Sequence, residues 1–226
     1  MNGEELLFEL PGAGRALFTA RAEGNLSSTQ GDSSESGERA REALRARTGA
    51  RRLARARQVH GSDVHVWTAE SPREDEGELV GDGHVTAVPS LGLTVLTADC
   101  MPVALGSAGA VAMLHAGWRG LAGGVLEHGV EALQDVGGAG EIVAILGPCA
   151  GACCYEVGPE VHEAFGLQAG AARNLDLRAI ARERLVGAGV SEIVDVRACT
   201  ICDERFFSHR REGTRAGRQG GVAWLS

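Results

Sequence analysis

TVLTADCMPVALGSAGAVAMLHAGWRG, residues 94–120, contains apolar runs that end beside two reactive side chains, Cys100 and His115. The runs are too short for an amphipathic helix and are rich in Val and Leu, so they predict buried strands. These strands are expected at residues 94–96, 103–105 and 111–114.

Pro102 marks a break between the first two runs. Proline lacks an amide donor and disfavours helix at the preceding residue, so the turn is predicted to hold Asp99 and Cys100 at a strand end. His115 ends the third run and precedes a predicted helix at 121–133. Side chains at such strand ends commonly face ligands, which makes residues 94–120 a candidate site.

Strands and helices are also predicted on both sides of this segment. Strands are expected at 6–10, 15–20, 53–67 with an interruption at 58–63, 142–146, 193–198 and 222–225. Helices are expected at 36–48, 159–165 and 177–187, with a surface loop at 70–78. Because there is neither a repeat nor a long linker, residues 1–226 are predicted to form one domain.

Composition excludes several classes of protein. The chain has 226 residues, of which 44% are hydrophobic and 4% aromatic, so a core built mainly from Leu, Val and Ala is expected. A net charge of −8 argues against nucleic-acid and anionic-membrane partners. No secretory or membrane-spanning pattern is present, which predicts a cytoplasmic protein.

Six cysteines are unusual in a chain with this predicted location, where metal binding or catalysis is a better explanation than disulfides. Cys199-x-x-Cys202, with Cys153 or Cys154, would suit a structural zinc site. A redox pair or simple buried thiols are favoured instead, because a fourth ligand is not evident from the sequence.

His60, Cys100 and His115 are the main candidates for chemistry. Two imidazoles and a thiolate would bind zinc and leave a fourth position open, as in catalytic zinc sites. Their spacing fits no zinc-finger pattern, so a turn histidine and a core cysteine remain an alternative. A third interpretation needs no metal: Cys100 would be a nucleophile with either histidine as its base, as in a hydrolase.

Arginines near these motifs are candidates for phosphate binding, because the guanidinium fork matches phosphate geometry. Arg119 directly follows the His115 turn, and Arg41 is a weaker candidate on the first helix. The other candidates are Arg210, Arg211 and Arg218, although exposed charges that only aid solubility would look the same. Asp82 and Asp99 are expected to orient an imidazole.

Five motifs occur in an informative order: QVHG (58–61), TADCMP (97–102), HAGWRG (115–120), GP with YEVG (147–158), and FSHRR with GRQ (207–219). Nearly the whole chain thereby resembles the bacterial polyphenol oxidase (laccase-domain) family. Members of that family are described as purine nucleoside phosphorylases with adenosine deaminase activity, and the family includes the peptidoglycan editing factor.

The resemblance implies an α+β fold, a layered sandwich of mixed β-sheets and helices. It also implies that His60, Cys100 and His115 bind catalytic Zn²⁺, and that the substrates are purine nucleosides and phosphate. From guanidinium geometry and sequence position, Arg119, Arg41 and Arg211 are predicted to bind the substrate. The chain departs from the family pattern at Cys149, Cys153 and Cys154, and at His209, where tyrosine is common.

Two alternative activities are weighed against this prediction. Copper oxidation of phenols needs many clustered imidazoles, whereas the seven histidines include no His-x-His pair, so Cu²⁺ is expected only as an in vitro substitute for zinc. A zinc or cysteine-type hydrolase that edits peptidoglycan precursors stays open. The cytidine-deaminase pattern, His-x-Glu with Pro-Cys-x-x-Cys, is absent from the sequence.

Overall fold

A computed structural model describes residues 6–29, 34–71, 79–167 and 173–226. The strands are β1 (Leu6–Leu10), β2 (Gly14–Phe18), β3 (Arg52–Ala54), β4 (Val64–Trp67), β5 (Gly83–Thr86), β6 (Leu91–Thr97), β7 (Met101–Gly106), β8 (Val111–Ala116), β9 (Val143–Leu146), β10 (Glu192–Asp195) and β11 (Gln219–Leu225). The helices are α1 (Ser34–Thr48), α2 (Trp118–Ala122), α3 (Val125–Asp135), α4 (Pro159–Ala164), α5 (Leu177–Gly187) and α6 (His209–Glu212).

The described strands form two mixed sheets. One has the order β1-β2-β11-β6-β3 and the other β10-β9-β7-β8-β5-β4. Parallel pairs occur at β3–β6, β4–β5 and β9–β10, and the other neighbours are antiparallel. The predicted α+β class with mixed sheets is therefore confirmed.

The sheets and helices stack in four layers. Phe18, Leu93 and Met113 belong to the core between the two sheets. Helix α1 contributes Leu44 to a core on the outer face of the five-stranded sheet. The outer face of the six-stranded sheet packs against α3 and α5, where Leu126 is fully buried. Because both faces of the central strands β7 and β8 are covered, all of their residues are buried and nearly all are apolar.

Two sequence predictions are corrected. The strand predicted at residues 53–67 is two strands in different sheets. Strand β3 belongs to the five-stranded sheet and β4 to the six-stranded sheet, and an irregular segment crosses between them. The single helix predicted at 121–133 is two helices, since Gly123 ends α2 and Gly124 has a φ of 88° before α3. Most of the predicted loop at 70–78 lies outside the described residues. None of the described helices has the length and apolar character to cross a membrane.

Candidate metal centre and cleft

Strand pairing brings Cys100 and His115 together. Cys100 immediately precedes β7, and Pro102 in that strand is paired with His115 in the antiparallel strand β8. The two reactive side chains therefore lie at the same end of one strand pair. His115 is 3% exposed, whereas Cys100 is partly exposed.

His60 reaches the same point from the irregular segment between β3 and β4. Gln58 anchors that segment: its side chain donates to Leu96 O at 2.9 Å and accepts from Leu96 N at 2.8 Å. His60 has a φ of 60°, which is uncommon outside glycine and is maintained here by hydrogen bonds to the surrounding backbone.

Those bonds come from Asp82, a fully buried carboxylate before β5. It accepts from the backbone amides of Val59, His60 and Gly61 at 2.8–3.0 Å. It also contacts His115 Nδ1 at 2.7 Å, which is the hydrogen bond to an imidazole predicted from the sequence. One carboxylate thus orients the His115 ring and positions the loop that carries His60.

The charges in this group support one another. Burial raises the pKa of the Cys100 thiol, but the charge and hydrogen bonds of His115 and His60 outweigh burial and bring it to about 6. Burial lowers the pKa of His115, but Cys100 and Asp82 raise it to about 9. Asp82 has a pKa below its ordinary value, because its hydrogen bonds outweigh burial.

The three side chains fit a zinc ion. One ligand atom from each of His60, Cys100 and His115 lies within 4.8 Å of the others. Zn–N distances of about 2.0 Å and Zn–S of about 2.3 Å place tetrahedral ligands roughly 3.3–3.8 Å apart, so small side-chain movements suffice. With Asp82 on Nδ1, His115 has Nε2 available for a metal.

Gly117 leaves room for this arrangement. A Cβ at this position would lie 2.9 Å from Cys100 Sγ and 3.2 Å from His60 Cδ2. Such contacts are too close for a rigid site. The Gly in HAGWRG therefore has a steric role beside the candidate metal ligands.

The group opens onto a cleft of about 880 Å³. The cleft contains more basic than acidic side chains, although the chain as a whole is acidic. Its arginines are Arg55, Arg57, Arg119, Arg210 and Arg218. An anionic substrate would therefore meet a locally favourable field.

Arg210 and Asp99 form part of the cleft wall. The Arg210 guanidinium lies 4.9 Å from the Tyr155 ring centre and donates to Glu156 O at 2.7 Å. Asp99 accepts from Thr200 Oγ1 and from the Arg210 amide, each at 2.7 Å. Asp99 therefore links Thr200 to the Arg210 backbone in the cleft wall. The prediction that it orients an imidazole is wrong.

The three arginines predicted to bind substrate occupy different positions. Arg119 lines the cleft, and its guanidinium stacks 4.2 Å from the centre of the Trp118 ring. Arg41 donates to Leu26 O at 2.8 Å, and Arg211 donates to the carbonyls of Thr200, Ile201 and Phe206. Neither Arg41 nor Arg211 is among the cleft residues that the structure describes.

Several cleft residues were not singled out by the sequence. Arg55 and Arg57 lie in the irregular segment before His60, and Ser27, Ser28 and Thr29 come from a loop assigned only as polar. Arg55 and Arg57 lie just before the QVHG motif, and that proximity was the sequence signal that could have identified them as cleft residues. The polar loop offered none, because its place beside the cleft depends on tertiary contacts.

Comparison with known proteins identifies relatives of this chain. A purine nucleoside phosphorylase of Xylella fastidiosa is 40% identical over 95% of this chain and 88% of its own length. An adenosine deaminase named RL5, from an unknown prokaryotic organism, is 39% identical over 74% of this chain and 72% of its own length.

The crystal structure of a Neisseria meningitidis protein of family DUF152 has a TM-score of 0.86, with 32% identity and complete coverage of both chains. Residues 13–226 match the family model described as multi-copper polyphenol oxidoreductase laccase. A match over nearly the whole chain makes this protein a member of that laccase-like family.

Proposed function

We propose that this protein is a zinc-dependent purine nucleoside phosphorylase that also deaminates adenosine. The carrying observation is a His60–Cys100–His115 group open to a cleft lined with arginines. The names of the relatives support the substrate class. We also propose that the protein is cytoplasmic. Its proposed partners are small molecules, and neither nucleic acid nor a membrane is among them.

Zinc would be held by His60, Cys100 and His115, and when bound it supplies Lewis acidity toward an oxygen of phosphate or water. In phosphorolysis the C1′–N9 bond of the nucleoside breaks and a bond from C1′ to a phosphate oxygen forms, giving base and pentose 1-phosphate. In deamination water replaces the 6-amino group of adenosine, giving inosine and ammonia.

The chain's own residues have defined tasks. Asp82 orients His115 through Nδ1 and positions the His60 loop through three amides. Arg119 lines the cleft, and its guanidinium makes no hydrogen bond or ion pair with any part of the chain that the structure describes, so it is available to a phosphate. Tyr155 and the Arg210 guanidinium that packs against its ring line the cleft together, and a purine would pack against this pair.

The laccase description of the family is not proposed as the activity here. An oxygen-reducing copper enzyme needs several imidazoles beyond an electron-transfer site. Across the described ranges, which include all seven histidines, His60 and His115 are the two histidines in groups suited to a metal. His65 and His128 instead contact backbone carbonyls at 2.8 and 2.9 Å.

The test is product analysis with defined metal content. Zinc-loaded protein is expected to convert adenosine to adenine and ribose 1-phosphate when phosphate is present, and to inosine without phosphate. Arg119→Ala is expected to raise the phosphate KM about tenfold while deamination changes little, consistent with loss of one charge-assisted hydrogen bond. Equal losses in both reactions would assign Arg119 to structure.

Three results would overturn the proposal. Full activity in metal-free protein would favour a Cys100 thiol nucleophile. No turnover of adenosine, inosine or methylthioadenosine by zinc-loaded protein would favour hydrolysis of cell-wall precursors. Phenol oxidation that requires copper and exceeds nucleoside turnover would favour the oxidase.

A further inference from the structure

Two pairs of cysteines that are far apart in the sequence meet at the surface beside the cleft wall. The Sγ atoms of Cys153, Cys154, Cys199 and Cys202 all lie within 4.8 Å of one another. Cys202 Sγ is 2.8 Å from Cys154 Sγ and 3.5 Å from Cys153 Sγ. All four thiols are free, and we call this group the cysteine cluster.

Backbone contacts hold the two halves of the cluster in place. Cys149 and Cys199 form an isolated parallel bridge, with Cys149 N bonded to Ala198 O and Thr200 N bonded to Cys149 O. This bridge aligns the loop after β9 with the loop after β10. The cluster is therefore built by tertiary contacts and not by four exposed side chains that happen to point the same way.

Tight turns present the thiols within each loop. Cys154 N and Tyr155 N both donate to Gly151 O, and Asp203 N donates to Cys199 O. Gly151 N also donates to Cys199 Sγ at 3.2 Å. An amide directed at a sulfur stabilises a thiolate, which is the form that binds metals.

We propose that the cysteine cluster is a second metal site, which holds one structural Zn²⁺ through four thiolates. A closed tetrahedral Cys₄ set is a standard structural zinc site, and Zn–S bonds of about 2.3 Å place the sulfurs roughly 3.8 Å apart. All four sulfurs lie within 4.8 Å of one another, and the Cys154–Cys202 separation of 2.8 Å would widen by about 1 Å when both bind one ion.

Other thiol chemistry fits the group less well. In an iron–sulfur cluster, thiolates bound to different irons are separated by two metals and bridging sulfide, so all four would not gather around one point. Disulfides would pair the cysteines two by two, whereas Cys202 contacts both Cys153 and Cys154. A single ion accounts for the convergence of all four.

The site would fasten the cleft wall. Thr200, between the two cysteines of the Cys-x-x-Cys pair, donates to Asp99, and its carbonyl accepts from Arg211. Tyr155, directly after Cys154, faces the cleft. A zinc ion that joins these two loops would therefore fix the wall without touching a substrate.

Metal counting on the full-length protein tests the proposal. In the double variant His60→Ala/His115→Ala, which removes the candidate cleft site, about one zinc per chain is expected to remain after dialysis with reductant. Adding Cys153→Ser and Cys202→Ser should reduce zinc to near zero. Cys149→Ala is the matched control, because its buried thiol lies in the same loop but outside the cluster, and it should keep the zinc.

Cobalt gives an independent readout in chains that keep all four cysteines. Co²⁺ added to the metal-stripped His60→Ala/His115→Ala variant should give the intense visible absorption and thiolate-to-metal charge-transfer bands of tetrahedral sulfur coordination. With wild-type cleft residues, Cys153→Ser/Cys202→Ser should retain the cleft metal and lower the thermal midpoint by roughly 5–10 °C, consistent with loss of a bound ion.

Three outcomes would overturn the proposal. One is four titratable thiols with no retained metal, and another is a Cys154–Cys202 disulfide found by mass spectrometry. The third is iron with inorganic sulfide in place of zinc. None of these results would bear on the proposed nucleoside activity, because that activity depends on His60, Cys100 and His115.

Discussion

The two candidate metal-binding groups of side chains differ in chemistry and access. His60, Cys100 and His115 mix nitrogen with sulfur and open onto the cleft, whereas the cysteine cluster is all sulfur and has four ligands. An incomplete set leaves a position for a reacting oxygen, and a complete set does not. On the two proposals, the number of ligands separates a site for chemistry from a site for stability.

The strongest test of this difference compares a variant that removes a cleft ligand with a variant that removes two cysteines of the cluster. Cys100→Ala should reduce kcat/KM roughly a thousandfold, since a catalytic metal contributes several kcal/mol. The thermal midpoint should change less than in Cys153→Ser/Cys202→Ser, which should show the opposite pattern of large stability loss and modest activity loss. Metal analysis, kinetics and calorimetry on both variants check this, and identical patterns would contradict it.

The orienting carboxylate gives the next largest effect. Asp82→Asn should weaken zinc binding at the cleft or lower activity by about 10–100-fold, because an amide is a poorer partner for His115 Nδ1 and for the three loop amides. Zinc at the cysteine cluster should be unaffected. Competition with a zinc chelator measures both sites, and equal weakening of both would show only general destabilisation.

A pair of glycines tests each site by steric means. Gly117→Ala would place a Cβ 2.9 Å from Cys100 Sγ, and Gly151→Ala would place one 3.2 Å from Cys199 Sγ. Overpacking of about 1–3 kcal/mol corresponds to roughly 5- to 150-fold weaker metal binding, at the cleft in the first case and at the cluster in the second. Gly187→Ala, with no atom within 4 Å of the new Cβ, is the control.

The smallest effect concerns the contact between the regions. Thr200→Val removes the hydroxyl that donates to Asp99 and should cost about 1–3 kcal/mol of unfolding free energy, because a buried carboxylate loses a partner. The substrate KM should rise a few-fold while both metals stay bound. An unchanged KM would show that the contact between Thr200 and Asp99 does not influence substrate binding in the cleft.

Sequence reasoning succeeded where the chemistry is local. The apolar runs around Cys100 and His115 are buried on both faces, so their strands could be predicted from residues 94–120 alone. Asp82 could be proposed as an orienting group because carboxylates commonly support ligating histidines. The assignment of zinc, and of purine nucleosides as substrates, depended on the resemblance and remains a prediction.

Sequence reasoning was less successful where segments that are distant in the chain meet in the fold. Nothing local to Gln58 reveals that residues 55–63 cross between sheets, and the single helix predicted at 121–133 misses the break at Gly123 and Gly124. A fourth ligand for Cys199 and Cys202 was not evident, because Cys153 and Cys154 join them only after the loops pair through Cys149. These arrangements are set by tertiary contacts.

The position of β11 has a consequence for the order of folding. This strand is the last of those that the structure describes, yet it lies between β2 and β6 in its sheet. During synthesis the β1–β2 hairpin and β6 therefore have exposed edges until residues 219–225 emerge from the ribosome, a pairing of high contact order that is slow to form. Arg218, directly before β11, joins the cleft at the same late step, so the cleft cannot form before residues 218–225 have been made.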